Sequence, residues 1–215
     1  SVFESKVNIE RLFYNSLKIS VLVTLGQLVT CTLAGYGLAR SQHKFSKLVF
    51  YIMLAGMMIP AQATIVPLYL GIAKIGLFDT HASIIIPLLT SSFGIFLIRQ
   101  FVLTQPIELE EAAIIDGASR FQRVRYIVLP HVYPVATFIA LICLMDNFRV
   151  FEPIIGFSAE GVAQSLSWMI YKDLRNETLM LFGSAGATSM LTILGVGILL
   201  TPALIRTWKE FRTDR

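Results

Sequence analysis

"EEAAIIDGASRFQRVRYIVLP", Glu110–Pro130, is the most polar continuous stretch of a chain otherwise dominated by apolar residues, and Gly117 interrupts it. Upstream, Thr104-Gln105-Pro106 opens a helix, because proline is tolerated in a first turn, and Glu108, Glu110 and Glu111 suit the positive end of the helix dipole. Ala112, Ala113, Ile114 and Ile115 continue that helix and Gly117 stops it. Ser119 followed by Gln122 has the form of a capping box, so a second helix is expected at once, entering the next apolar run through Tyr126-Ile127-Val128-Leu129-Pro130. The segment therefore reads as helix, sharp turn, helix. Its acids (Glu108, Glu110, Glu111, Asp116) balance its bases (Arg99, Arg120, Arg123, Arg125). A lipid-binding segment would be mainly basic, so a neutral hinged projection suits docking into another protein's groove.

What surrounds this segment sets the fold class. The 215 residues are 55% hydrophobic and 15% charged, with a mean hydropathy of +0.68, outside the range of a soluble domain. Five windows lack Asp, Glu, Lys and Arg: Ile19–Ala39, Leu48–Ala73, Thr80–Ile98, Tyr126–Met145 and Thr178–Ile205. Each approaches or exceeds the roughly 20 residues a helix needs to cross hydrocarbon, where all backbone polar groups must be satisfied internally. The expectation is an all-α polytopic membrane protein, one domain over residues 1–215, with spans at about 12–40, 46–74, 80–103, 124–147 and 178–207. The loop 104–123 and the loop 148–177 lie between spans on opposite sides. Eleven of the 18 Lys/Arg residues fall beside the first, third and fifth span ends that share a side with 104–123, which predicts that this loop and the C-terminus are cytoplasmic and the start of the chain external. The opening "SVFESKVNIERLFYNS" has no initiating Met, apolar core or cleavage site, so a preceding span is expected, giving six in the intact protein.

Pro60, Pro67, Pro87 and Pro134 lie in or beside the apolar windows and predict kinks. "GSAGATS" (183–189), Gly195, Gly197 and "AGYGLA" (34–39) predict close helix contacts. Cys31 and Cys143 lie within spans and read as buried small residues. In the loop 148–177 and the span end before it, Asp146, Asn147, Arg149, Glu152 and Trp168 are the candidate solute-pathway residues. Ionisable groups at that depth either face a cavity or pair in a structural Asp146/Arg149/Glu152 network, and the sequence leaves both open. Asn176-Glu177-Thr178 has the form of a glycosylation sequon, without meaning in a bacterial protein.

Several functions are excluded. The scattered net charge of +4 has no aromatic array beside it, against nucleic acid. No lysine follows a glycine, so no phosphate-cradling loop is present and any ATP is hydrolysed elsewhere. "GFSAEG" (156–161) lacks the spacing of a hydrolase nucleophile turn, and no window carries the acid of a proton-coupled carrier. No metal site and no bound cofactor are expected. A scaffold whose cytoplasmic helix merely recruits a partner is the alternative of a different class.

The spacing Glu111-Ala112-Ala113, three residues, Gly117, nine residues, Ile127-Val128-Leu129-Pro130 resembles the EAA loop of permease subunits of bacterial ATP-binding-cassette (ABC) importers. "NSL" (15–17), "AGYGLAR" (34–40), "MIPAQATIVPLY" (58–69), "GLFDT" (76–80) and "QPIELEEAAIIDGAS" (105–119) further resemble the carbohydrate-uptake permeases of the maltose-transporter kind. The likeness is strongest from Leu12 to Pro130. Beyond it, "LMDNFRVFE" (144–152) stands where the family has a Trp-Asn-Glu-Phe region, and "RTWKEFRTDR" replaces a glycine-rich tail, leaving open which permease half this is. The resemblance implies an ABC type I importer transmembrane fold in the bacterial inner membrane. It also implies a coupling helix, Ile107–Asp116, seated in an ATPase cleft, with Glu110, Glu111, Ala112, Ala113, Ile114, Asp116, Gly117, Ala118, Ile127, Leu129 and Pro130 as the coupling set. Glu111 would be a polar contact and Gly117 the turn. Implied partners are a second homologous permease, two ATPase subunits that use ATP and Mg, an extracytoplasmic solute-binding protein and the bilayer. Sugar, glycoside or polyol import is the expected function, with an amino acid, peptide or organic anion as the alternative solute.

Overall fold

In the computed structural model, residues 8–157, 159–175 and 182–213 are described, and every regular element among them is helical. In chain order these are α1 (Ile9–Arg40), α2 (Lys44–Gly56), α3 (Ala61–Lys74), α4 (His81–Leu88), α5 (Ser92–Thr104), α6 (Glu108–Ile115) and α7 (Arg120–Arg123). A π-helical turn (Val124–Val128) leads into α8 (Leu129–Phe148), followed by α9 (Glu152–Gly156), α10 (Leu166–Arg175) and α11 (Phe182–Thr213).

Three stretches are long and apolar enough to cross a membrane: Ile9–Arg40, His81–Thr104 and Phe121–Phe148. They fall on the first, third and fourth expected spans. The second, expected over 46–74, is divided into α2 and α3 and counts as a crossing only if the pair is taken together. The break at Met57–Pro60 has a local cause: Pro60 supplies no N–H and pushes Ile59 away from helical geometry. The fifth begins at residue 178, outside the described residues, as do Lys6, Ser158 and the sequon. Its described apolar part is Gly183–Ile198 in α11. Pro67, Pro87 and Pro134 lie inside α3, α4 and α8.

The chain clusters into two compact units. The first comprises Ser1–Thr24, Ala61–Leu88 and Leu141–Arg215. Its core joins Ile19 and Val23 of α1 to Ile72, Ile84, Ile154, Phe157, Ala163 and Trp168. Beside it the Phe13 and Phe148 rings meet edge-on at 5.9 Å, and a Cβ on Gly195 would lie 2.9 Å from Phe148, so this α11 glycine permits the close approach. Gly183, Gly186 and Gly197, expected to do the same, face open space.

Buried polar residues of α1 hold the irregular segment 161–166. Asn15 Nδ2 donates to the carbonyls of Val162 (3.2 Å) and Gln164 (2.9 Å), and the Leu166 N–H donates to Ser16 Oγ (3.1 Å). These carbonyls have no helical partner, and a buried unpaired backbone group is costly. Replacing Asn15 by leucine, similar in size but without donors, is therefore expected to cost about 1–3 kcal/mol. A fall of several degrees in the apparent melting temperature of the purified protein checks this.

The second unit comprises Leu25–Pro60 and Leu89–Ala140. Here Gly35 of α1 lies against α5, where a Cβ would come within 2.7 Å of Ile98. Cys31 donates to the Ser91 carbonyl at 3.4 Å; it and Cys143 of the first unit are both buried and not joined in a disulfide, as read from sequence. Phe50 stacks on Phe96, and the Arg99 guanidinium lies 3.9 Å from the Phe50 centroid, a cation–π contact.

Candidate functional site

The site in the second unit begins at Gln105, the C-cap of α5, whose N–H bonds to the Val102 carbonyl. Pro106 precedes α6 rather than lying in its first turn, and Ile107 is the N-cap without a side-chain bond. Glu108, Glu110 and Glu111 fill the first turn and compensate the exposed N–H groups electrostatically.

The helix ends in a Schellman motif. The Ala118 N–H bonds to the Ala113 carbonyl (2.9 Å) and the Gly117 N–H to that of Ile114 (3.0 Å), with Gly117 at φ +79°. The capping box then forms as its spacing predicts: Ser119 N–H donates to Gln122 Oε1 (2.7 Å), and Gln122 N–H donates to Ser119 Oγ (3.3 Å). Ser119→Ala is expected to cost about 1 kcal/mol, roughly a fivefold rise in local opening, read as faster amide exchange at Gln122.

Past α7 the helix widens to a π turn, closed by the Leu129 N–H on the Val124 carbonyl. Pro130 explains it. A proline there cannot donate to the carbonyl four residues back and would collide with it in a regular helix, whereas a wider turn moves that carbonyl aside. His131 Nδ1 donates to the Ile127 carbonyl at 2.7 Å.

Burial sorts the faces of α6. Ala113 is buried and Glu110 is turned inward, while Glu108, Glu111, Ala112 and Ile115 are exposed along the opposite stripe. Ile114 and Asp116 are exposed as well, Ala118 and Ile127 are half-buried, and Leu129 and Pro130 are exposed. Glu110, expected within the coupling set, bonds through Oε1 to Arg40 Nε at 2.8 Å and through Oε2 to the Tyr36 hydroxyl, both on α1. Three residues escaped the sequence reading. Arg40 and Tyr36 lay in a quoted stretch, "AGYGLAR", without an assigned role. Ile115 is 86% exposed, and its signal was an apolar residue at the spacing of Glu108 and Glu111, away from Ala113.

The residues proposed for a solute pathway lie in the first unit and separate. Asp146 and Arg149 approach to 3.6 Å at about 60% exposure each, a pair that adds little stability, beside an open groove with Phe151, Ser167 and Tyr171. Glu152 does not join them: both its oxygens accept from Gln62 Nε2, at 3.1 and 3.2 Å. The three-residue network that was one sequence alternative is thus reduced to a pair. Asn147 is buried and donates to the Cys143 carbonyl one turn back, and Trp168 is 5% exposed in the core, with the Lys172 ammonium 5.0 Å from its ring centroid. The Phe151 and Tyr171 rings, stacked at 5.7 Å, are what the groove offers.

Residues 31–208 match the family described as "Binding-protein-dependent transport system inner membrane component". Among curated proteins, the sn-glycerol-3-phosphate transport system permease protein UgpE of Agrobacterium fabrum is 37% identical over 124 residues, 58% of this chain and 44% of that protein. The lactose transport system permease protein LacG of Rhizobium radiobacter is 35% identical over 128 residues, 60% of this chain and 47% of that protein. The chain thus spans about half the length of the curated relatives it matches. Among solved structures, a bacterial ABC transporter involved in import of the acidic polysaccharide alginate superposes with a TM-score of 0.78 at 20% identity, covering 95% of this chain and 76% of that one. The MetNI methionine ABC transporter, in inward-facing conformations, gives 0.68 at 18% identity, covering 93% and 95%. At these identities the structural likeness is one of fold.

Proposed function

Because the chain belongs to the family of binding-protein-dependent transport system inner membrane components, we propose that it is one permease half of an ATP-driven importer for a sugar, glycoside or polyol. It is a multi-pass inner-membrane protein by its family and its apolar helices. The observation that carries the reading is α6 itself: a short helix fixed on its Glu110/Ala113 side, ended by a Schellman turn and joined through a capped turn to α8. Its outward stripe, Glu108, Glu111, Ala112 and Ile115, is an apolar and acidic surface of the size a helix lays into a partner's groove.

In this reading the groove belongs to an ATPase subunit, on which ATP and magnesium act. Closure of the ATPase pair moves α6, and the turn at Gly117 passes that displacement to the α7–α8 segment, switching the spans between inward-open and outward-open. Such a transition needs a rigid element between the moving cleft and the span. A second homologous permease completes the pathway and an extracytoplasmic binding protein delivers solute to the side opposite α6. Carbohydrate is favoured by the names of the relatives, which carry sn-glycerol 3-phosphate and lactose. The Asp146/Arg149 groove with its stacked aromatics offers the mixed polar and planar surface on which a polyhydroxylated solute binds.

Reconstitution of the full complex in vesicles, supplied with ATP inside and the binding protein outside, tests this. Uptake is measured for lactose, sn-glycerol 3-phosphate and methionine. Saturable, ATP-dependent uptake of lactose or sn-glycerol 3-phosphate is expected. Uptake of methionine alone would replace the solute class, and ATP hydrolysis indifferent to solute and binding protein would point to a scaffold.

A further inference from the structure

We propose that Arg40 and Tyr36 are positioning residues that tie α6 to α1 through Glu110, so that α6 and the end of α1 move as one body. The inference rests on the reading of α6 as the ATPase-docking helix and assigns how a displacement of α6 reaches the first span.

An eight-residue helix has little stability of its own, and α6 is joined to its neighbours only through two short turns, at Gln105-Pro106 and at Gly117. Pushed from its outward stripe, such a helix would swivel between those points unless something held its other side. Ala113 supplies a small apolar contact. Glu110 supplies a directional one, since its carboxylate uses both oxygens, Oε1 to Arg40 Nε at 2.8 Å and Oε2 to the Tyr36 hydroxyl. Two attachment points fix the orientation of the group as well as its position. Arg40 Nη2 also reaches the Gln105 carbonyl at 3.4 Å, so one guanidinium joins the ends of α1, α5 and α6.

Tyr36 and Arg40 stand one turn apart on the same face of α1, and the Arg40 and Glu110 side chains are only 17% and 12% exposed, where water and salt screen the pair less than at the surface. The other acids of the α6 stripe, Glu108 and Glu111, are exposed. The division of labour is therefore between neighbours: Glu111 faces outward and Glu110 holds the helix to its own chain.

The test measures rigidity in the assembled complex. Spin labels are placed at Leu25→Cys on α1, about 22 Å along the helix from Arg40 at ~1.5 Å per residue, and at Leu109→Cys on α6, an exposed position off the outward stripe, with the buried thiols Cys31 and Cys143 left in place. Distance distributions are recorded without nucleotide and with MgATP. In the otherwise native chain a single narrow distance, unchanged by MgATP, is expected. Glu110→Ala should broaden it and make it shift with MgATP, Tyr36→Phe should do so partially, and the swap Arg40→Glu with Glu110→Arg should restore a narrow distance. A distribution in Glu110→Ala as narrow and as indifferent to MgATP as the native one would overturn the inference. The docking reading is judged separately, by whether Ile115→Asp releases the ATPase subunits; their retention would remove that reading, and this inference with it, whatever the distances show.

Discussion

Substituting valine for Gly117 is expected to lower solute uptake by the assembled importer about tenfold or more while leaving its insertion in the membrane intact. Gly117 sits at φ +79°, a left-handed conformation in which a β-branched side chain is strained. No atom lies within 4 Å of the position a Cβ would take, so the penalty is one of backbone conformation alone. Residues held in that region cost about 1–3 kcal/mol, and about 1.4 kcal/mol is a factor of ten in the population of the Schellman turn. The N–H groups of Gly117 and Ala118 would then lose their carbonyls on Ile114 and Ala113, and α6 would no longer bear a fixed angle to α7. A graded series makes the cause explicit: asparagine, which tolerates this conformation, should retain most of the uptake, alanine less, and valine least. Equal uptake across the series would show that the turn carries no force.

Ile115→Asp is expected to weaken retention of the ATPase subunits by about tenfold to a hundredfold. The side chain is 86% exposed within this chain, so the substitution changes little in the subunit's own fold. Burying an isoleucine in a partner's groove contributes about 1.5–3 kcal/mol, and a carboxylate in its place would forfeit that and add a desolvation cost. Ile115→Leu preserves apolar area and should bind as the native chain does. The measurement is the amount of ATPase that co-purifies with the affinity-tagged permease, with membrane levels of the permease as control. Undiminished co-purification in Ile115→Asp would mean that the outward stripe of α6 is not the docking face.

The two predictions draw on different kinds of information. Gly117, Ser119 and Gln122 were legible in the order of residues because the bonds that define their turn close within six positions, and backbone sterics decide them before any tertiary contact exists. The same holds for the apolar windows, since a chain crossing hydrocarbon has to satisfy its backbone within the segment and the helix does so locally. Even the break between α2 and α3 has its cause in one residue, Pro60.

Facing, in contrast, was decided only by packing. Which of two adjacent acids, Glu110 or Glu111, turns inward depends on Arg40, 70 residues away, and on the small Ala113 that sets the helix against its neighbours. The partner of Glu152 is Gln62, 90 residues away, rather than the nearby Arg149. Trp168, a candidate solute-pathway residue by sequence, lies in the core, because Asn15 and Ser16 of α1 pin the backbone of 162–166 and carry α10 inward with it. Periodicity and turn chemistry specify where helices start, stop and bend, since those energies are short-range. The surface each helix buries is a property of what lies across from it, and polar pairs formed over 70 to 90 residues have no local signature in the chain.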